Sequence, residues 1–389
     1  MPGYELIGKE ERQAINELFD DGGVLFAHGF DNIRNGRYRV REFERAFADY
    51  LGVKYAQAVS SGTAAIKVAL VALGIKPGDE IITQAFTFIA TVEAIVDIGA
   101  VPVIANINAT LNMDPVELEK AITPRTKAII PVHMLGVAAE LDKILPIAKK
   151  YNIPVLDDNC ESLGADWNNE KLGIQSDICT WSFDAGKVII AGEGGMITTD
   201  NKDLYLLARE YSDHGHENNP NFPRGRDTHR IYGFNYRMTE LQAAIGLAQL
   251  KKLDYIVETN RRNYQIYFES LQELNGLAFR RIPGYCTPLC DCLIFSFHEI
   301  GQAEEYVRLM SEKGLGTKNV PDAIEWHFAR HWDHIFSKFG FTKEQLHEYT
   351  APSAKLLNRS VAMPVMVKTS IDQVHKNAEL IQETAKQVL

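Results

Sequence analysis

The sequence predicts an α/β fold with a mostly parallel sheet, followed by a smaller α+β lobe. From residue 52 to about 200, short β-branched runs alternate with helical stretches bounded by Gly, Pro and Asp, the pattern of strands joined by crossover helices. The chain has 389 residues, whereas a single hydrophobic core stops growing at roughly 250 to 300. A large domain over residues 1–259 and a small one over 260–389 are therefore expected.

Within the large domain, a strand-like run at 55–59 is followed by strands at 80–83, 101–105, 127–132, 154–157, 178–183 and 196–199. Helices fall between them at 64–73, 89–98, 115–121, 141–151 and 202–211. Residues 238–274 carry few breakers and place Leu241, Ala244, Ile245, Ala248, Leu253 and Ile256 at helical spacing, which predicts one long helix leading out of the first domain. Beyond it, 292–298 alternates like a half-buried strand, and 303–313 and 370–388 read as helices. The stretch 213–232 is rich in His, Asn, Pro, Gly and Arg without periodicity, and a long polar loop inside a compact domain is more often functional or interfacial than idle.

Composition excludes several classes. Hydrophobic residues make up 46% and charged residues 24%, as in soluble globular proteins. A formal net charge of −10 gives no electrostatic reason for nucleic-acid binding. The first ten residues lack the apolar stretch of a signal peptide, and no apolar run reaches the length of a membrane span, so a cytoplasmic protein is expected. Five cysteines, odd in number and sparse, fit reduced thiols. Cys286, Cys290 and Cys292 with His298 nearby do not have zinc-knuckle spacing, because a single residue separates Cys290 from Cys292, and no metal is expected.

Four features carry chemistry. Ser60-Ser61-Gly62-Thr63-Ala64-Ala65 sits between a strand and a helix, where unpaired N–H groups and the helix dipole suit a phosphate; a simple Ser/Thr N-cap explains the same residues. Val155-Leu156-Asp157-Asp158-Asn159 ends an apolar strand in two carboxylates, at the edge where open α/β sheets bind ligands. A carboxylate there can hold a pyridinium nitrogen protonated, cap a helix or bind a metal. Thr180 to Lys187 runs from a strand into a small-residue turn with one lysine, which becomes nucleophilic in a dry pocket free of carboxylates. Gly192-Glu193-Gly194-Gly195 follows, allowing the backbone to approach a bound group closely. His133, at another strand end, reads as a hydrogen-bonded structural histidine.

Taken in order, SSGTAA (60–65), PGDEIIT (77–83), FTFIAT (86–91), ITPRTKAIIPVH (122–133), DDNCESLGA (157–165), SFDAGK (182–187), GEGG (192–195) and GFNYRMTELQAAIGLAQL (233–250) resemble the sugar aminotransferases of the DegT/DnrJ/StrS family. The resemblance spans the first domain and the helix after it. It implies a fold type I enzyme dependent on pyridoxal 5'-phosphate, a homodimer with active sites shared between subunits, and glutamate as amino donor to a keto or aldehyde sugar. By the same resemblance Lys187 is the Schiff-base lysine and proton shuttle, Asp158 the partner of the pyridine nitrogen and Phe88 the aromatic that stacks on the ring. Gly62, Thr63 and Ser182 are phosphate contacts, and Asn235 reaches the phosphate of the neighbouring subunit. Glu161 departs from the Gln or His common at the position facing the ring's 3-oxygen, and a carboxylate there must hold a proton or turn aside.

Within the family, Gly3-Tyr4-Glu5-Leu6, Val24-Leu25-Phe26 and Asp213-His214-Gly215-His216-Glu217-Asn218 are similar to the branch that makes 8-amino-Kdo for lipopolysaccharide, by aminating C8 of a 3,8-dideoxy-octulosonate. Arg224, Arg226, Arg230 and His229 are candidates to hold such a sugar acid; a solvated face or a dimer contact explains them equally. A nucleotide-linked 4-keto-6-deoxyhexose is the alternative acceptor. The related PLP-dependent sugar dehydratases carry histidine where Lys187 stands, and a non-catalytic PLP-binding regulator would need a DNA-binding element for which no basic patch speaks.

Overall fold

The computed structural model describes residues 2–316, 318–319 and 324–389. Seven strands make the main sheet: β1 (Tyr55–Val59), β2 (Glu80–Gln84), β3 (Val101–Ala105), β4 (Thr126–Ile129), β5 (Leu156–Asp158), β6 (Ile178–Ser182) and β7 (Gly195–Thr199). Their order is β3-β2-β4-β5-β6-β7-β1, with the β4 and β5 halves joined by parallel bridges Ile129–Val155 and Val132–Asp158. Every strand is parallel except β7, which runs against both β6 and β1. The parallel strands therefore end on one edge, and Ser60, Asp158 and Ser182 all arrive there.

Helices cover both faces. On one side, α3 (Gly62–Ala72) and α4 (Ala90–Asp97) bury Ile66, Leu70, Val92 and Ile95 against Ile81, Leu156 and Ile197. On the other, α2 (Arg39–Leu51) packs Phe43 and Phe47 on Phe183 and Trp181, with ring centroids 5.0 to 5.5 Å apart. Neither α2 nor α1 (Lys9–Asp20) was foreseen, although α2 has the apolar spacing of an amphipathic helix at Val40, Phe43, Phe47 and Leu51.

The single long helix expected over 238–274 is two helices, α7 (Glu240–Leu250) and α8 (Leu253–Leu271), broken at Lys251 and Lys252. At the break the Lys252 ammonium donates to Leu6 O and Glu11, each at 2.6 Å. The two halves serve different partners: α7 lies on α1 and α2, while α8 packs on the C-terminal helix α9 (Ile371–Val388). One straight rod cannot follow both surfaces, so packing overrides the uninterrupted helical pattern. The helices α5 (Leu141–Tyr151) and α6 (Lys202–Tyr211) fall where the sequence places them.

A second sheet, β8 (Ala278–Phe279), β9 (Cys292–Ser296), β10 (Lys318–Asn319) and β11 (Ser360–Pro364), has the order β8-β9-β11-β10 and is antiparallel throughout. With α8 and α9 it encloses its own core around Phe295, Tyr306, Val361 and Ile381. Residues 328–357 return to the large sheet, burying Phe328, Trp332, Phe336 and Leu357 in the α3/α4 layer. They bring His327 and Phe328 to the edge where the strands end, through a bridge between Phe86 and Phe328.

Gly246, inside α7, tests the fit of the other layer. A Cβ there would lie 2.7 Å from the Phe43 ring, which is fully buried between Phe47 and Phe183. Gly246→Ala would gain about 1 kcal/mol of helix propensity but overpack the layer by about 1–3 kcal/mol. The expected outcome is a net loss, read as a lower urea midpoint with an unchanged slope.

Candidate active site

A cavity of about 470 Å³ opens on the edge where the strands end, and Lys187 lies in it. The neighbourhood is built by β6, which delivers Ser182 and then turns sharply: Asp184 N donates to Ser182 Oγ (3.3 Å), Gly186 N to Asp184 Oδ2 (2.8 Å) and Lys187 N to Asp184 O (3.0 Å). The small residues Ala185 and Gly186 let that turn close. Gly3 N donates to Lys187 O (3.1 Å), so the N-terminal segment seals the outer side of the lysine turn.

Asp158 is the last residue of β5 and is buried. Its Oδ2 accepts from Thr91 Oγ1 (2.9 Å), itself 2.9 Å from Thr87 Oγ1, and its Oδ1 accepts from Cys160 N (3.1 Å). Burial pushes the carboxyl above its ordinary range, while these donors and Lys187 pull the other way. The adjacent Asp157 faces the opposite side of the strand, 3.6 Å from His133 Nε2. His133 accepts from Ala139 N at Nδ1 (3.0 Å) and is fully buried, as expected of a structural histidine. Strand alternation thus separates two neighbouring carboxylates into one cavity residue and one core residue.

Lys187 does not stand in a pocket free of carboxylates. Lys187 Nζ lies 3.6 Å from Glu161 Oε1, because the turn after β5 returns Glu161 beside it. Burial disfavours the ammonium, yet Glu161, Cys160, Asp158 and Asp184 outweigh burial and hold the proton more tightly than usual. Glu161 is turned toward the lysine and also accepts from Leu135 N at Oε2 (3.1 Å). A proton passed from Lys187 to Glu161 would leave the neutral amine that nucleophilic attack requires.

At the far end of the cavity, α3 presents its N-terminus. Ser61 is the N-cap, accepting from Ala64 N at 3.1 Å, so the capping reading holds. The cap leaves Gly62 and Thr63 lining the cavity opposite Ser182. Gly62 is required there, since a Cβ would stand 2.8 Å from Ser182 Cβ and 3.2 Å from Cys160 Sγ. Gly195 is equally constrained: a Cβ would meet Ser61 O at 2.2 Å, so β7 could not pass the helix start. Phe88 lines one wall, 41% exposed, with Trp326 stacked at 6.5 Å and His327 at 5.2 Å.

Of the residues singled out from sequence, Gly62, Thr63, Phe88, Asp158, Glu161, Ser182 and Lys187 converge on this cavity. Asn235 is exposed and lies outside the cavity of its own chain, where its Oδ1 accepts from Arg237 N at 3.4 Å. Arg224 and Arg230 are engaged by Asp213 (2.5 Å) and Glu210 (2.8 Å), while Arg226 and His229 are exposed, and none of the four lines the cavity. Thr91, Leu135, Cys160, Asp291 and His327 also line it without having been singled out. Thr91 and Cys160 lay within motifs already noted; Leu135, Asp291 and His327 carried no local signal.

The model of the DegT/DnrJ/EryC1/StrS aminotransferase family matches residues 15–382. The chain belongs to this family. GDP-perosamine synthase of Caulobacter vibrioides is 45% identical over 242 residues, 62% of this chain and 64% of that relative, just under two thirds of its length. The spore coat polysaccharide biosynthesis protein SpsC of Bacillus subtilis is 39% identical over 402 residues, covering 98% of this chain and 96% of the relative. The X-ray structure of the aminotransferase from Psychrobacter cryohalolentis superposes with a TM-score of 0.87 at 27% identity, over 98% of each chain.

With the family come the fold type I architecture and pyridoxal phosphate as cofactor. The residues fit that group: a helix N-terminus with a bare glycine for its phosphate, a buried carboxylate for its ring nitrogen, an aromatic face and a lysine for its carbonyl carbon. When bound, pyridoxal phosphate supplies an aldehyde that takes up an amino group and a ring that accepts electrons.

Lys187→Ala is expected to abolish turnover while leaving the fold intact by circular dichroism. Asp158→Asn should slow the single-turnover reaction with an amino donor by about 100-fold or more. Thr91→Val, which removes one charge-assisted hydrogen bond, should slow it by about 10-fold. Equal rates for Thr91→Val and the unaltered protein would show that Thr91 does not hold the carboxylate in its working orientation.

Proposed function

We propose that this protein transfers the amino group of glutamate to the carbonyl of a sugar, and that Lys187, beside Glu161 and in one cavity with Asp158 at the sheet edge, carries the observation on which that reading rests. Lys187 tethers the cofactor and moves a proton at Nζ, with Glu161 as the neighbouring group able to exchange it. Asp158 keeps the ring nitrogen protonated, while Phe88 covers the ring. Gly62, Thr63 and Ser182 hold the phosphate, joined by Asn235 from a second copy in a homodimer. Both half-reactions use one site, so donor and acceptor alternate.

For the acceptor we favour 8-oxo-3,8-dideoxy-manno-octulosonate, giving 8-amino-Kdo for lipopolysaccharide, made by a cytoplasmic enzyme. Support comes from the three segments that resemble that branch: the first adjoins the lysine turn, and the other two meet at Asp213. Gly3 bonds the lysine turn, Leu25 O caps the start of α7 through Glu240 N (3.0 Å), and Phe26 lies under Arg237 and Arg224, both paired with Asp213. His28 completes this cluster, 3.2 Å from Asp213. The arginines of the 213–232 loop are committed to this framework or exposed outside the cavity, so a sugar carboxylate would be held by groups brought by a second copy. The second reading, a nucleotide-linked 4-keto-6-deoxyhexose, is supported by the 45% identity to a GDP-perosamine synthase.

The test begins with the absorbance of the purified protein before and after glutamate, with Lys187→Ala alongside. A visible band from bound cofactor that glutamate displaces, and that the variant lacks or alters, is expected. Turnover is then compared for 8-oxo-3,8-dideoxy-manno-octulosonate and GDP-4-keto-6-deoxymannose. A higher kcat/KM for the octulosonate supports the first acceptor, and the reverse order replaces it with the second.

A further inference from the structure

Part of the cavity wall comes from the C-terminal lobe, and its acidic member is Asp291, immediately before β9. Asp291 is aimed there by an unusual backbone. Cys290 takes a left-handed conformation (φ +65°), as does Leu135 (φ +50°) on the facing turn, a strained choice for non-glycine residues. Leu289 N donates to Gly136 O and Val365 N to Asp291 O, both at 2.9 Å, fixing the segment against the large domain on one side and the C-terminal sheet on the other. Gly136 (φ +73°) leaves the space that the carboxylate needs, since a Cβ there would stand 3.1 Å from Asp291 Oδ1.

That Oδ1 is packed at Gly136, sealed from water and without a hydrogen-bond partner among the described residues, so contact with a ligand falls to the rest of the half-buried Asp291 side chain, which lines the cavity. Burial and the nearby charge of Glu161 push the carboxyl up to about 6, opposed by Lys187, so it is still largely ionised at neutral pH. A carboxylate on this wall suits hydroxyl donors.

We propose that Asp291 is a specificity residue for the acceptor, accepting hydrogen bonds from hydroxyl groups beside the reacting carbonyl of a polyhydroxylated substrate. This rests on the sugar-acceptor reading above. It applies to either acceptor named there, because both carry hydroxyls next to the carbonyl-bearing end of the sugar.

The experiment uses the holoenzyme and its Asp291→Ala and Asp291→Asn variants, with cofactor absorbance confirming that each is loaded. Two reactions are compared: isotope exchange between glutamate and 2-oxoglutarate, which never involves the sugar, and turnover with 8-oxo-3,8-dideoxy-manno-octulosonate or GDP-4-keto-6-deoxymannose. Asp291→Ala is expected to lower kcat/KM for the sugar by about 10-fold or more, mostly through KM, with a much smaller change in exchange. Asp291→Asn, which keeps one accepting oxygen, should fall between. Parallel losses in both reactions, or no loss with the sugar, would overturn the assignment. An unaltered enzyme that exchanges but aminates neither sugar would overturn the acceptor reading, and this proposal with it.

Discussion

The site depends on keeping one carboxylate, Asp158, out of water at the end of a parallel strand. Burying that charge is unfavourable by itself, and the surrounding chain answers with donors at both oxygens: Thr91 from the start of α4 and the Cys160 backbone N–H from the turn after β5. Thr87 fixes Thr91 in turn. The consequence reaches well beyond the strand. The 86–91 segment must cross the sheet edge at the right height, and the bridge from Phe86 to Phe328 holds it there from the C-terminal part of the chain.

A second constraint joins the two lobes. Leu135 has its N–H on Glu161 and its carbonyl within 3.4 Å of Arg280 Nη1, and the same guanidinium donates to Thr110 O (2.6 Å) and Asn112 Oδ1 (3.3 Å). Arg280 is buried deeply enough that its pKa falls to about 10, low for a guanidinium yet well above neutrality, so the cation persists. A permanent buried charge with several acceptors is a rigid support. Through Leu135 it sets where Glu161 sits, and through Glu161 how tightly Lys187 keeps its proton. The strained turn at Leu135 is held by partners on both sides, as a left-handed non-glycine residue requires.

Much of this was legible from residue order. The strands feeding the sheet edge, the helix start at Gly62, the acidic strand end and the lysine turn all follow from local pattern, because each is a short segment whose neighbours in sequence are its neighbours in space. Other features were not legible for the opposite reason. Asp291 and His327 reach the cavity from more than 100 residues beyond Lys187, by way of a lobe whose sequence gives weak periodicity. The break between α7 and α8 is invisible to a helical-spacing argument, since Lys251 and Lys252 are good helix formers; tertiary partners on different surfaces create it. Whether Lys187 stood among carboxylates could not be read either, because the direction of Glu161 is decided by the Leu135 peptide, 26 positions away.

The distribution of charge inside the cavity explains how one pocket can serve two unlike substrates. Among the described residues, Lys187 is the one lysine or arginine lining it, and its carboxylates come from separate segments: Asp158 at the end of β5, Glu161 beside the lysine, Asp184 and Glu193 on either side of the lysine in sequence, and Asp291 from the other lobe. A phosphate is drawn to the α3 end, where the backbone N–H groups concentrate positive potential. The carbonyl end of a substrate meets acceptors instead, which reward hydroxyl donors and penalise a second anion. The asymmetry between a helix start that attracts phosphate and an acidic wall thus gives the cavity two chemically distinct ends.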